Sequence, residues 1–271
     1  MKKIVYIITI SLVSSFFACN KHGNISTAGK TEKDSLNSLE PFVTVIINSH
    51  QNKYGDFGSA GNVAATFPLS WNINSVAMDG YQIQPNTSTS FFSTTDSKDT
   101  SFERKLASFV GNKVTVSING NGVENIPAIP AINFIDIEKS FGDDFSVSKS
   151  TGASLKWDIR KLIAIPDGKN LRLQSDPINI PNQPAGIRTY ILMAPFLLET
   201  IPDSSRAQYF EVPAGSTTFT IPSTAFDKYK AGEFVNIKIA SASNVTGTVA
   251  SRTLTVGSVS VTDIDGVTVK K

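Results

Sequence analysis

Side chains able to do acid–base, nucleophilic or metal chemistry are sparse in this chain of 271 residues. Its two histidines are His22 and His50, its one cysteine is Cys19, and its 23 Asp and Glu are scattered so that no spacing singles out a pair. A nucleophilic triad needs a histidine or a substitute base beside the nucleophile. His22 sits in a polar stretch and reads as solvated, and His50 closes an expected strand and reads as a surface residue. Zinc calls for Cys and His ligands that this composition lacks, and carboxylates alone suit harder ions. Asp143-Asp144 and Asp263-x-Asp265-Gly266 offer oxygens of the kind calcium takes, but neither has the length or closing Glu of an EF-hand loop, so both read as turns. Asp56-Phe57-Gly58 is a kinase-like tripeptide without its companions, and no P-loop occurs. The expectation is a chain without catalytic residues, metal ligands or a cofactor.

Binding chemistry has better candidates. Tyr54 and Phe57 lie in a Gly-rich loop, Phe91 and Phe92 form a pair, and so do Tyr209 and Phe210. Exposed aromatic rings of this kind present flat apolar faces to a ligand or a partner. The charge balance narrows the partner: the chain carries 25 basic and 23 acidic residues. Two lysines and no acid lie in residues 1–18, so the rest is balanced at 23 against 23. No basic field points to nucleic acid.

The elements that must position these aromatics follow an unusual first stretch. Lys2 and Lys3 precede an apolar run over residues 4–18 (IVYIITISLVSSFFA), which is shorter than the roughly 20 residues a spanning helix needs. It reads as a secretory leader over 1–18, ending at the small Ala18. Phe16-Phe17-Ala18-Cys19 resembles the lipobox of bacterial lipoproteins, in the looser form found in Bacteroidota. The resemblance implies that Cys19 becomes the acylated first residue of the mature chain. Each buried acyl CH₂ contributes about 0.8 kcal/mol, so several chains would hold the protein at a membrane through its lipid without spanning it. Asn20, in place of the Asp that favours inner-membrane retention in lipoprotein sorting, implies the outer membrane of the cell envelope and leaves its face open. Residues 19–40 are polar and without apolar period, and read as a disordered tether. Its r.m.s. reach is roughly 25 Å.

Beyond residue 40 short β-rich runs alternate with Gly, Pro, Asn and Asp. Residues 42–47 (FVTVII), 113–118 (KVTVSI), 233–239 (EFVNIKI) and 253–261 (TLTVGSVSV) fit strands. Asp79-Gly80, Asn119-Gly120, Asp167-Gly168 and Asp265-Gly266 are turn dipeptides. Thr100-x-x-Glu103 followed by Leu106 and Phe109 predicts a short capped helix. The class is all-β. Leu69-Ser70-Trp71-Asn72-Ile73 matches Leu155-Lys156-Trp157-Asp158-Ile159, and Gly111-x-x-Val114-x-Val116-x-Ile118 matches Gly232-x-x-Val235-x-Ile237-x-Ile239 in the same order. Two ordered matches predict two copies of one unit. In each copy Leu, Trp and Ile at every second position share one strand face, so both indoles are expected in a core.

The Trp-ending strand, the following Tyr81-x-Ile83 run and the later G-x-x-V strand resemble fibronectin type III and related immunoglobulin-like domains. That resemblance implies two tandem antiparallel β-sandwiches, at 41–138 and 139–271, with the border near Glu138. It also implies variable loops at the ends of each sandwich. The expected function is a non-catalytic binding, adhesive or scaffold role in contacts with an envelope protein. A glycan-binding lipoprotein of a polysaccharide-utilisation system is the alternative, and a carboxylate-dependent hydrolase the second.

Overall fold

The computed structural model describes residues 37, 39–85, 90–95, 100–123, 128–168, 170–196, 205–249 and 251–271. The leader 1–18, Cys19 and most of the tether 19–40 lie outside the described residues. Asn37 does belong to them, and its Oδ1 accepts the Ser70 N–H at 3.0 Å, so ordered contacts begin slightly before residue 41.

Alternating sequence produces the expected strands, and the class is all-β, with 59% of the described residues in strands. The first half holds β1 (Phe42–Gln51), β2 (Phe57–Thr66), β3 (Val76–Met78), β4 (Tyr81–Ile83) and β5 (Phe91–Thr95). Helix α1 (Thr100–Phe109) follows, then β6 (Val116–Ile118), β7 (Asn121–Val123) and β8 (Ile132–Ile135). After the short α2 (Ile137–Phe141) come β9 (Ser146–Ser148), the long pair β10 (Ala153–Asp167) and β11 (Asn170–Ile180), and β12 (Arg188–Pro195). The chain ends with β13 (Gln208–Glu211), β14 (Thr218–Ile221), β15 (Phe234–Val249) and β16 (Arg252–Lys270).

The large sheet runs in the order β13-β12-β15-β16-β1-β2-β11-β10-β14, with β5 on β2, β8 on β10 and β9 on β16. A separate four-stranded sheet, β4-β3-β6-β7, is closed by the two expected turns. Asp79-Gly80 has φ of 43° and 78°, and Asn119-Gly120 has 49° and 79°. Positive φ at both central residues is what a two-residue hairpin turn of the mirror-image type demands. The helix forms where its capping sequence predicts, and buries Phe102, Leu106 and Phe109 on one face. Leu106 seats against Gly61, where a Cβ would lie 1.8 Å from its Cδ2, so the helix depends on a missing side chain in β2.

Pairing crosses the border expected near Glu138. β1 lies parallel to β16, with Phe42 opposite Thr255 and Gln51 opposite Ile264. One continuous core holds Val43 and Phe102 from the first half with Trp157 and Ile237 from the second. Phe210 of β13 and Phe219 of β14 stand at opposite ends of the strand order, yet their ring centroids are 5.8 Å apart, so the sheet curls until its ends meet. Two tandem sandwiches, 41–138 and 139–271, are not confirmed by this connectivity.

The tryptophan repeat diverges in structure. Trp157 is buried in β10, but Leu69–Trp71 forms a 3-10 turn followed by Asn72 at φ 50°. Trp71 is half-buried, between the Phe67 ring at 5.9 Å and the Arg252 guanidinium at 5.3 Å. Pro68 is still extended, at φ −55° and ψ 138°, and the chain turns at Leu69–Trp71 and Asn72. The dipeptide Asp265-Gly266 also departs from expectation, lying inside β16 as a bulge rather than ending a strand. Two residues there face Asn236 alone, with Gly266 at φ 74°.

Strand β8 lies against the inner face of the curl, paired to β10 on one edge. Its other edge is served by side chains. Buried Gln51 donates to the Ile135 carbonyl at 3.0 Å and accepts the Ile135 N–H at 2.8 Å. Gln183 does the same for Ala131, at 2.9 Å in both directions. Each glutamine amide takes the place of a neighbouring peptide, so the edge is closed without another strand. Asn133 between them is fully buried and donates to Ser241 at 2.8 Å. Ser241, Ser258 and Ser260, small and buried on β15 and β16, leave room for β8.

One acid-sensitive tie holds the segment before β15. Glu233 Oε2 accepts from Arg206 at 2.6 Å and from the Lys230 N–H at 2.5 Å, and the Arg206 guanidinium stacks over the Tyr229 ring. The Arg206 hydrogen bond first, then the Lys230 N–H, hold this carboxyl below the usual range against the opposing effect of burial. A depressed folded-state pKa contributes stability that is present above the unfolded value, here 4.5, and is lost as pH falls through the folded value. Denaturant titrations of Glu233→Gln at neutral pH and below pH 4.5 are therefore expected to fall less steeply with acid than those of the parent. Equal slopes would contradict the assignment.

Candidate functional site

A half-open groove of about 560 Å³ lies between the β1–β2 hairpin tip and the β10–β11 pair. Its hairpin wall is built by Asn52. The Asn52 Oδ1 accepts the N–H groups of Tyr54 at 2.9 Å and Asp56 at 3.0 Å, and its Nδ2 donates to Asp56 Oδ2 at 2.8 Å. Gly55 supplies the positive φ of 81° that closes the turn. This loop presents Phe57 to the groove and leaves Tyr54, 77% exposed, at the tip with the Lys53 ammonium 4.9 Å from its ring centroid.

The opposite wall depends on a register shift. Along β10 the inward set is Leu155, Trp157 and Ile159, then Leu162, because Lys161 faces the three bulged residues 176–178 of β11. Strict alternation would put Arg160 and Ile163 on opposite faces; the bulge places both in the groove. The Asp176 carboxylate accepts the Ile178 N–H at 2.9 Å and fixes the bulge, leaving Pro177 on the rim and Ile178 exposed beside it.

Phe134 from β8 is the floor. Its ring centroid is 5.7 Å from that of Phe57, and the Arg160 guanidinium carbon is 3.8 Å above it. Arg160 also donates through Nε to Asn179 Oδ1 at 3.0 Å and through one terminal nitrogen to Asp158 Oδ2 at 2.9 Å. A guanidinium has five N–H donors, so three remain for a ligand. Arg172 and Gln174 of β11 add a second guanidinium and an amide. Two aromatic rings tilted by 39° beside part-desolvated, oriented donors suit recognition of a flat or ring-shaped ligand with an acceptor group.

The aromatic candidates fare differently. Phe57 lines this groove, while Tyr54 is exposed on the hairpin tip beside it and is not part of the lining. Phe92 is 2% exposed and belongs to the core, in edge-to-face contact with Phe67 at 6.0 Å; its half-buried neighbour Phe91 starts β5 opposite Thr66. Tyr209 is 68% exposed on β13, where Phe210 packs on Phe219, away from the groove-lining segments. Phe134, Arg160 and Arg172 carried no spacing signal, because four separate segments bring them together.

Two of the four carboxylate candidates, Asp144 and Asp263, are paired with lysines, and Asp265 lies beside His50. Asp144 pairs with Lys270 at 2.5 Å, and that hydrogen bond holds its carboxyl low. Asp263 pairs with Lys238, and His50 Nδ1 lies 3.4 Å from Asp265. Burial pushes the Asp263 carboxyl up, opposed by the Lys238 ammonium. Among the described residues no three His, Cys, Asp or Glu gather as metal ligands, and no helix is long and apolar enough to cross a membrane. No protein family, no characterised protein and no solved structure matches this chain.

Proposed function

We propose that this chain is a non-catalytic binding protein tethered to the cell envelope, which engages its partner through the groove and the hairpin tip above it. The observation that carries the reading is the stack of Arg160 on Phe134 beside Phe57, with donors left uncommitted in an open concavity. The leader 1–18 and acylation of Cys19 supply the anchor in this reading, and residues 19–40 the leash. We read residues 41–271 as one interleaved β body rather than two tandem immunoglobulin-like modules, a view supported by the pairing of β1 with β16.

Attachment at the start of β1 has a geometric consequence. The ten residues of β1 span about 33 Å, so the hairpin tip and groove lie about that far from the point where the leash joins the body. Full-length Cys19→Ser is expected in the soluble fraction of an expressing bacterium, with the parent in membranes; membrane retention of the variant would refute the anchor.

A glycan is the second reading, favoured by the exposed Tyr54 ring at the hairpin tip and by Phe57 in the groove. On arrays carrying both peptides and glycans, Tyr54→Ala and Phe57→Ala are expected to lose the signal of the parent. Unchanged signal in both variants would remove the groove from the reading.

A further inference from the structure

Resting on the groove reading above, we propose that its ligand is a glycan carrying uronic acids, with the sugar carboxylate on Arg160 and Arg172 and the ring against Tyr54 and Phe57. The cationic groups decide the charge. Arg160 is held on the Phe134 face and by Asp158 and Asn179, so its remaining donors point in a fixed direction, and a carboxylate matches a guanidinium fork in plane and spacing. Arg172 adds a second cation on the neighbouring strand. Of the acids near the groove, Asp158 is paired with Arg160, whereas Asp56, held by the Asn52 amide, and Asp176, which accepts the Ile178 N–H, keep their charge, so the sugar carboxylate is placed against the guanidiniums and away from Asp56.

The apolar and neutral groups decide the body that bears the charge. Phe57 offers a ring face in the groove and Tyr54 an exposed one on the hairpin tip beside it, and Gln174 and Ser175 offer an amide and a hydroxyl suited to sugar hydroxyls. A volume of about 560 Å³ lies within the roughly 300–1,000 Å³ range of small-ligand sites. An acidic peptide fits less well. Extended peptides gain affinity from a free strand edge. Here β10 is paired on both edges, Arg160 standing opposite Asn179 of β11 and Ile132 of β8, so it presents side chains only; β11 meets β2 only at Leu173 and Ser59, and polyglutamate tests whether an extended peptide adds there.

Affinity electrophoresis of the full-length chain in detergent tests this with three polymers: polygalacturonate, its methyl ester, and polyglutamate. Polygalacturonate is expected to retard migration, the uncharged ester at least tenfold less, and polyglutamate not at all. Arg172→Gln, an exposed position, and Arg160→Lys, which keeps charge but loses the planar fork, are each expected to weaken retardation roughly tenfold or more. Equal binding of the ester would overturn the carboxylate assignment while leaving the groove in place. Equal binding of polyglutamate would overturn the glycan in favour of an acidic peptide. Retardation that survives Arg160→Lys, Arg172→Gln and Tyr54→Ala together would overturn the groove itself. No retardation by any polymer would overturn the uronate ligand, leaving the arrays with Tyr54→Ala and Phe57→Ala to judge the groove.

Discussion

Gln51→Leu is expected to unfold at markedly lower denaturant concentration than the parent, with a loss of roughly 2–6 kcal/mol. The substitution keeps nearly the same volume, so little of this comes from a cavity. It comes from the Ile135 N–H and carbonyl, which lose both bonds to the Gln51 amide in a place where Gln51 itself is fully buried. Each buried group left without a partner costs about 1–3 kcal/mol. Gln51→Glu is no rescue: a carboxylate accepts the N–H but gives the carbonyl nothing, and it places a charge in the interior. A Gln51→Leu midpoint within about 0.5 kcal/mol of the parent would mean that β8 finds other partners on that edge.

Trp157→Ala is expected to cost about 3–5 kcal/mol, because the indole is fully enclosed between the β8 and β14 flanks and the sheet interior. Trp71→Ala separates the two members of the sequence repeat. Its ring is half-exposed in a 3-10 turn, so about 1–2 kcal/mol is expected from the lost contacts with Phe67 and Arg252. Urea melts of the two variants side by side measure the difference. Equal losses would restore the equivalence that the shared L-x-W pattern predicts.

What could be read from sequence was local. Asp79-Gly80 and Asn119-Gly120 specify their turns through backbone conformation alone, and Phe102, Leu106 and Phe109 specify the buried face of α1 through their spacing. Alternation in residues 42–47 and 253–261 identifies strands and their inward residues, but not that the two lie side by side, since period 2 carries no information about the neighbour. Asp265-Gly266 was misleading for a related reason: a positive-φ glycine serves a bulge as well as a turn. At the groove, Tyr54 and Phe57 were legible as aromatics in a Gly-rich loop. Arg160 was not, because its direction is set by the mismatch of Lys161 against residues 176–178, a relation between two strands that neither segment displays alone.

The parallel pairing of β1 with β16 makes the first strand wait for the last. Phe42 finds Thr255 only once nearly all of the chain is available, so contact order is high and folding is expected to be slow. During that interval β1, with Val43, Val45 and Ile47 on one face, is an open edge prone to pairing with another copy. Under the proposed export, N-terminus first, β1 would stay open until the C-terminus emerges, and truncation within residues 252–270 would leave the centre of the sheet unzipped.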